Sequence, residues 1–299
     1  MFACDTLPND EYQLKTRDEV IPNSAVKITP ETDLYPPILH SNDYEEPVPL
    51  PGPVNSAGAE DSPFIPINRN EFYFFFTPNV KVPVDKQLLD GATGIYSALM
   101  VDGIFTDVKR VLLQDHNKLS LDGCTFVKGD TMWFCSVREG YTDLHWFTAE
   151  FINDEWTNMT LSDFLLEYQV GELHIHENEL YYHSYNDNGS GGTDIWVLNR
   201  MDGEWINPVN IESINSESNE GMPYITHDGK ELWFNRLYFG TPAVFRSQRV
   251  NGQWQEPELI ISQFAGEPTL DAEGNIYFVH HFYKDDEMIE ADIYVAYRK

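Results

Sequence analysis

Short aromatic runs recur along most of this chain, each bracketed by polar turn residues. They read Phe72-Tyr73-Phe74-Phe75, Met132-Trp133-Phe134-Cys135, Leu180-Tyr181-Tyr182-His183, Leu232-Trp233-Phe234-Asn235 and Ile276-Tyr277-Phe278-Val279. Just upstream of each stands a turn pair such as Gly129-Asp130 or Asp228-Gly229. A second run follows, for example Asp194-Ile195-Trp196-Val197, and a third strand centres on Phe105, Trp156, Trp205 and Trp254. Aromatic and β-branched residues in short runs, bounded by Gly, Asn and Asp, predict strands joined by hairpins. No stretch keeps a helical period.

A pattern that repeats every few tens of residues builds supersecondary units that cannot bury their apolar faces alone. Five copies of a four-stranded antiparallel unit predict an all-β fold, a β-propeller of five blades. The fifth copy stops at Tyr297-Arg298-Lys299, before its outermost strand. Glu46-Pro47-Val48-Pro49-Leu50 resembles Asn207-Pro208-Val209-Asn210-Ile211 and supplies the missing strand. Residues 46–50 are therefore expected to pair with the strand Asp292–Tyr297, closing the ring and leaving no open sheet edge there. Residues 1–44 carry no repeat and few paired apolar positions, which predicts a flexible acidic leader ahead of one folded domain, 45–299.

With 49 acidic and 19 basic residues the formal charge is −30. Such a surface repels phosphate backbones and anionic bilayers, so nucleic-acid binding is not expected. No apolar run reaches the roughly 18 residues that a spanning helix needs. The opening Met1-Phe2-Ala3-Cys4-Asp5 resembles the end of a lipobox, with Cys4 as the lipidated residue and the leader as a tether; an incidental cysteine is the other reading. A two-residue turn at Gly129-Asp130 would set Cys124 across from Cys135, where a disulfide is conceivable. Two buried thiols packing as small hydrophobes is the simpler expectation.

Three segments resemble the WD40-like PD40 repeat of TolB-like proteins. They are Tyr185–Trp196, Trp205 with Pro208-Val209, and Pro223 through Thr226 and Asp228-Gly229-Lys230-Glu231-Leu232-Trp233-Phe234. The resemblance is strong in the third and fourth copies, fair in the fifth and weak in the first two. It implies a propeller in a secreted or cell-envelope setting and a scaffold for binding, with no catalytic residue. Fold alone does not give function.

Acidic residues stand at or just before the predicted innermost strands: Glu60 and Asp61, Asp122, Glu172, Glu220 and Glu267. Convergent carboxylates raise one another's pKa and can serve as acid and base or hold a cation. The arrangement loosely resembles the five-bladed glycoside hydrolases. That resemblance implies Asp61 as general base, Asp122 as pKa modulator and Glu172 as general acid. The acids do not share one repeat position, and acids that cap turns are the plainer reading. His174 and His176 share a strand face, which suits either a metal or hydrogen bonds between blades; the latter is expected, and no metal site is assigned. The loop Asn186–Asp194 is rich in Asn, Asp, Gly and Ser, so a structural calcium ion is the one cofactor it suggests, a long turn being the alternative.

Two functions remain open. The first is a monomeric, extracytoplasmic binding module that takes a carbohydrate or protein at the channel mouth, with Glu220, Glu267, His174, Tyr185, Tyr238 and Tyr283 as contact residues. Rings in loops around a polar funnel stack on sugar faces. The second is a glycoside hydrolase using Asp61, Asp122 and Glu172.

Overall fold

The computed structural model describes residues 14–115 and 117–299. One turn of helix, α1 (Arg17–Val20), is followed by the short strands β1 (Ile38–Leu39) and β2 (Val48–Pro49). Strands β3 (Ala59–Phe64), β4 (Glu71–Thr77), β5 (Gly94–Val101) and β6 (Ile104–Arg110) form a first antiparallel meander, with the short helix α2 (Val84–Gln87) between β4 and β5. The second is β7 (Ser120–Lys128), β8 (Thr131–Arg138), β9 (His145–Ile152) and β10 (Glu155–Leu161). The third is β11 (Leu173–His176), β12 (Glu179–Tyr185), β13 (Thr193–Met201) and β14 (Glu204–Asn210). In the fourth, β15 (Glu220–Ile225), β16 (Glu231–Tyr238) and β17 (Thr241–Val250) lead to β18 (Gln253–Trp254) and β19 (Glu258–Ser262), both paired with β17. Last come β20 (Ala265–Leu270), β21 (Ile276–Lys284) and β22 (Glu287–Ala296).

The contacts divide the chain into two compact units. The first holds the described residues up to Asp33, Leu50–Ser162 and Phe282–Asp292. The second holds Leu34–Pro49, Asp163–His281 and Ile293–Lys299.

The aromatic runs become the second strand of each meander for a physical reason. Phe72, Tyr73, Phe74 and Phe76 of β4 are all buried, as are Leu232, Trp233 and Phe234 of β16, so these strands are covered on both faces. A strand covered on both faces reads as a continuous apolar run. The outer strands β6, β10 and β14 each expose four of their seven residues to water. Hairpin turns fall where the chain offers residues tolerant of positive φ: Asp102-Gly103 (51° and 72°), Asp202-Gly203 (53° and 91°) and Asn251-Gly252 (51° and 80°). Two left-handed residues match the twist of a two-residue hairpin.

Val48 pairs with Val295 and Pro49 with Tyr294, the pairing expected of residues 46–50. The expected facing of Cys124 and Cys135 is not found. Gly123 opposes Cys135, the register slips between Gly123 and Phe126, and Cys124 sits in that bulge at φ 54°. No disulfide joins them, and the bulge carries Cys124 off the ladder. The same bulge recurs at Ser62, Met222 and Glu267, with φ of 50°, 49° and 54°. It is thus a feature of the repeat.

Of the segment read as a leader, residues 14–44 make specific contacts. In the first unit Lys15 N–H donates to Gly91 O at 2.9 Å, while Arg17 and Lys27 reach buried carboxylates. In the second unit Ile38 and Leu39 pair with Ser262 and Ile261, and Tyr44 is buried edge-on against Trp233. Residues 1–13, and Cys4 with them, lie outside the described residues. Among the described residues no helix is long and apolar enough to cross a membrane.

Candidate functional site

Three meanders carry, at or near the start of their first strand, an acid that is almost wholly removed from water: Glu60 (0% exposed), Asp122 (3%) and Glu220 (0%). A buried carboxylate without compensation is costly, so its partners decide its role. In the second unit the Glu220 carboxylate accepts the Ser216 N–H at 3.1 Å, the Ser216 hydroxyl at 2.5 Å and the Arg236 Nε at 2.6 Å. Arg236 lies over the Phe234 and Phe245 rings and donates to Ile214 O.

The second meander repeats this with its own residues. Asp122 accepts from Ser120 at 3.0 Å, Ser136 at 2.6 Å and Arg138 Nη2 at 2.8 Å. Arg138 stacks over Phe134 and Phe147 and donates to Leu113 O.

The first meander has the acid but not the arginine. Glu220 faces Arg236 across the ladder, whereas Glu60 faces Phe76. Its guanidinium comes from Arg17, whose Nη1 lies 2.9 Å from Glu60 Oε1 and donates to Val54 O at 2.6 Å. Arg17 lies over Phe74, Phe76 and Tyr96. Ser56 completes the match, giving its N–H (2.9 Å) and hydroxyl (2.5 Å) to Glu60 as Ser216 does to Glu220. Burial raises the Glu60 pKa, against the pull of Ser56 and Arg17.

Beside this pair, Lys27 reaches Glu290 at 2.6 Å and also bonds Asp292, both acids on β22 and both buried. Burial lifts Glu290 above its ordinary range and pushes Asp292 up to about 7, with Lys27 opposing the rise.

The residues singled out from the sequence are placed as follows. Asp61, Asp122 and Tyr283 belong to the first unit, whereas Glu172, Glu220, Glu267, His174, Tyr185 and Tyr238 belong to the second. Asp61 is half-buried and accepts from the Ser62 hydroxyl at 3.0 Å. Asp122 and Glu220 are held in the ion pairs above. Glu172 is half-buried, and its carbonyl accepts the His183 N–H at 3.3 Å. Glu267 is half-buried in the β20 bulge. His174 is buried against Tyr224, with 4.7 Å between ring centroids, and His176 Nε2 lies 3.2 Å from His227 O. Tyr185 is exposed, Tyr238 packs on Phe239 and Phe245, and Tyr283 is half-buried. Among the described residues no three His, Cys, Asp or Glu side chains are placed to hold a metal. In the Asn186–Asp194 loop the Asp194 carboxylate accepts the Ser190 N–H at 2.6 Å and the Asn210 amide at 2.9 Å.

The sequence reading missed Arg17, Lys27, Glu290 and Asp292, and it treated Glu60 only as a neighbour of Asp61. One signal was available: Asn55-Ser56 followed by Glu60 has the same spacing as Asn215-Ser216 followed by Glu220.

The first unit also contains a cavity of about 930 Å³ between its two meanders. Its walls include Tyr141, Trp156, Lys109, Arg110, Gln114 and Glu155. Tyr141 is exposed and meets Phe147 edge-on, with 5.0 Å between ring centroids. Trp156 is half-buried, its Nε1 donating to Tyr73 OH at 3.3 Å, and Arg69 lies 5.5 Å from its ring. Burial pushes the Tyr73 hydroxyl up to about 12, so it stays protonated near neutrality.

No protein-family model matches the chain, and no curated protein matches it. Solved structures of similar fold include an endo-arabinase from Bacteroides thetaiotaomicron VPI-5482, at 15% identity and a TM-score of 0.52, with 83% of this chain and 97% of that one covered. Another is the Bacteroides ovatus protein described as Xyloglucan PUL GH43B, at 12% identity and a TM-score of 0.50, with 84% and 54% covered. TolB from Acinetobacter baumannii is matched at 11% identity and a TM-score of 0.43, with 81% and 55% covered. The chain thus spans about half the length of the last two. At these identities the likeness is one of fold, and the fold statement rests on the first two: the chain shares the all-β arrangement of four-stranded sheets found in β-propeller proteins.

Proposed function

We propose that this chain is a non-catalytic β-propeller binding module that takes an oligosaccharide in the cavity of its first unit. The reading includes five blades, with β2 completing the last, a monomeric state, and an extracytoplasmic setting with Cys4 as a lipid anchor. The observation that carries it is the cavity itself. A volume of about 930 Å³ suits a ligand of several rings. Tyr141 and Trp156 offer aromatic surface to the apolar faces of sugars. Lys109, Arg110, Gln114 and Glu155 offer donors and acceptors of both signs, which suits an uncharged polyhydroxylated ligand.

Hydrolysis is the second reading, prompted by the fold shared with an endo-arabinase. Asp122 argues against it, because its carboxylate already accepts from two hydroxyls and a guanidinium inside the sheet. A glycan array together with a panel of chromogenic glycosides tests both readings. Expected are retention of an oligosaccharide, loss of about tenfold in affinity in Tyr141→Ala, and no turnover. Turnover abolished by Asp61→Asn and Glu172→Gln would establish hydrolysis, and absence of any glycan bound would overturn the carbohydrate reading.

A further inference from the structure

We propose that residues 14–33 are a latch, docked on the first meander through Arg17 and Lys27, and able to withdraw while the sheets stay folded. The second and fourth meanders carry their arginine on their own strands, as Arg138 on β8 and Arg236 on β16. The first meander borrows its arginine from a segment 43 residues earlier in the chain. What a strand supplies is fixed by the ladder, whereas a borrowed side chain leaves with its segment.

The attachment is polar. None of residues 14–33 is fully buried, and the apolar side chains of Leu14, Val20, Ile21 and Ile28 are only half-buried. Its ties are the Arg17 guanidinium, the Lys27 ammonium, Lys15 N–H to Gly91 O at 2.9 Å and Ile28 N–H to Glu290 Oε2 at 3.0 Å. Segments with few buried apolar contacts open well below the global unfolding free energy.

The charged groups that meet here are Arg17 of α1, Lys27, Glu60 of β3, and Glu290 and Asp292 of β22. Docking places two cations against three buried acids, and their attraction opposes the rise that burial gives Glu60, Glu290 and Asp292. Withdrawal bares a socket of three carboxylates and the rings of Phe74, Phe76 and Tyr96, a surface suited to a guanidinium.

Hydrogen exchange of the full chain and of its Lys27 variants, corrected for intrinsic rates, tests this. The amides of Lys15 and Ile28 should exchange about tenfold or more faster than those of β4. Lys27→Gln should abolish the protection of Ile28 while β4 keeps its own, and Lys27→Arg should retain it. Protection of the segment as strong as that of β4 would overturn the latch. So would protection that disappears only together with that of β4.

Discussion

Arg17 and Glu60 form the ion pair that the fourth meander builds from Arg236 and Glu220, although Arg17 stands outside the sheet it completes. The Glu60 side chain is fully buried and that of Arg17 nearly so, at 0% and 12% exposure. Removing one partner of a buried pair strands the other charge, whereas removing both does not. Arg17→Met is therefore expected to lower stability by about 3 kcal/mol, and Arg17→Met with Glu60→Gln to recover much of it. Urea unfolding of the single and double variants measures the difference. Equal stability of the wild type and Arg17→Met would mean that the pair contributes nothing.

Arg138 and Asp122 are both almost fully enclosed, at 4% side-chain exposure each. Arg138→Met should then cost about 3–5 kcal/mol, more than any change at exposed pairs such as Lys81 with Glu287, which should stay within about 1 kcal/mol. Asp122→Ala should unfold at clearly lower temperature. A true catalytic carboxylate is instead replaceable with little change in melting. Thermal scans of Arg138→Met, Asp122→Ala and, for the exposed pair, Lys81→Met distinguish these roles.

The repeat was legible in the sequence because strands covered on both faces must be apolar throughout, and five such runs stand out between Gly, Asn and Asp turns. The pairing of Val48 and Pro49 with β22 was legible for the same reason, since the copy ending at Lys299 lacked a strand that its counterparts possess. The bulge was not. Ser62, Cys124, Met222 and Glu267 share no chemistry, and the left-handed residue is set by the ladder around it. The ion pairs of Arg17 and Lys27 were invisible for a different reason: single cations in an acidic, aperiodic stretch look like a solvated tail, and only the fold brings Glu60, Glu290 and Asp292 to meet them.

Stability should bend with pH from two opposing groups. Burial holds His183 and His281 down at about 4, so they stay neutral in the fold while the unfolded chain protonates near 6.5. Between those values the unfolded state binds more protons, so stability falls as pH drops, by about 2 kcal/mol per imidazole from about pH 7 to about pH 5. Asp292 has the opposite sign: its folded value of about 7 lies above the unfolded 3.8, so its contribution is present below the unfolded value and is lost as pH rises toward 7. Denaturant melts across this range should show an acid limb that flattens in His183→Gln. An unchanged limb would place the titration elsewhere.

Two glycines flank that same imidazole, and they should respond differently to one added carbon. A Cβ on Gly171 would stand 2.4 Å from His183 Nε2 and 2.6 and 2.7 Å from its ring carbons. At such distances backbone or ring must move. A Cβ on Gly221 would lie 3.7 Å from His183 Cγ and Nδ1, an ordinary van der Waals contact. Neither residue has a positive φ, so conformational preference does not separate the two, and the difference is one of space alone. Gly171→Ala is expected to destabilise by about 1–3 kcal/mol, the usual cost of overpacking. Gly221→Ala should change stability by less than about 0.5 kcal/mol in either direction. The pair His183→Ala with Gly171→Ala should be less destabilised than the sum of its single changes, because the added carbon then enters the space that the ring has left. Urea melts of these four variants measure each term, and strict additivity of the double change would show that the ring is not what excludes the carbon.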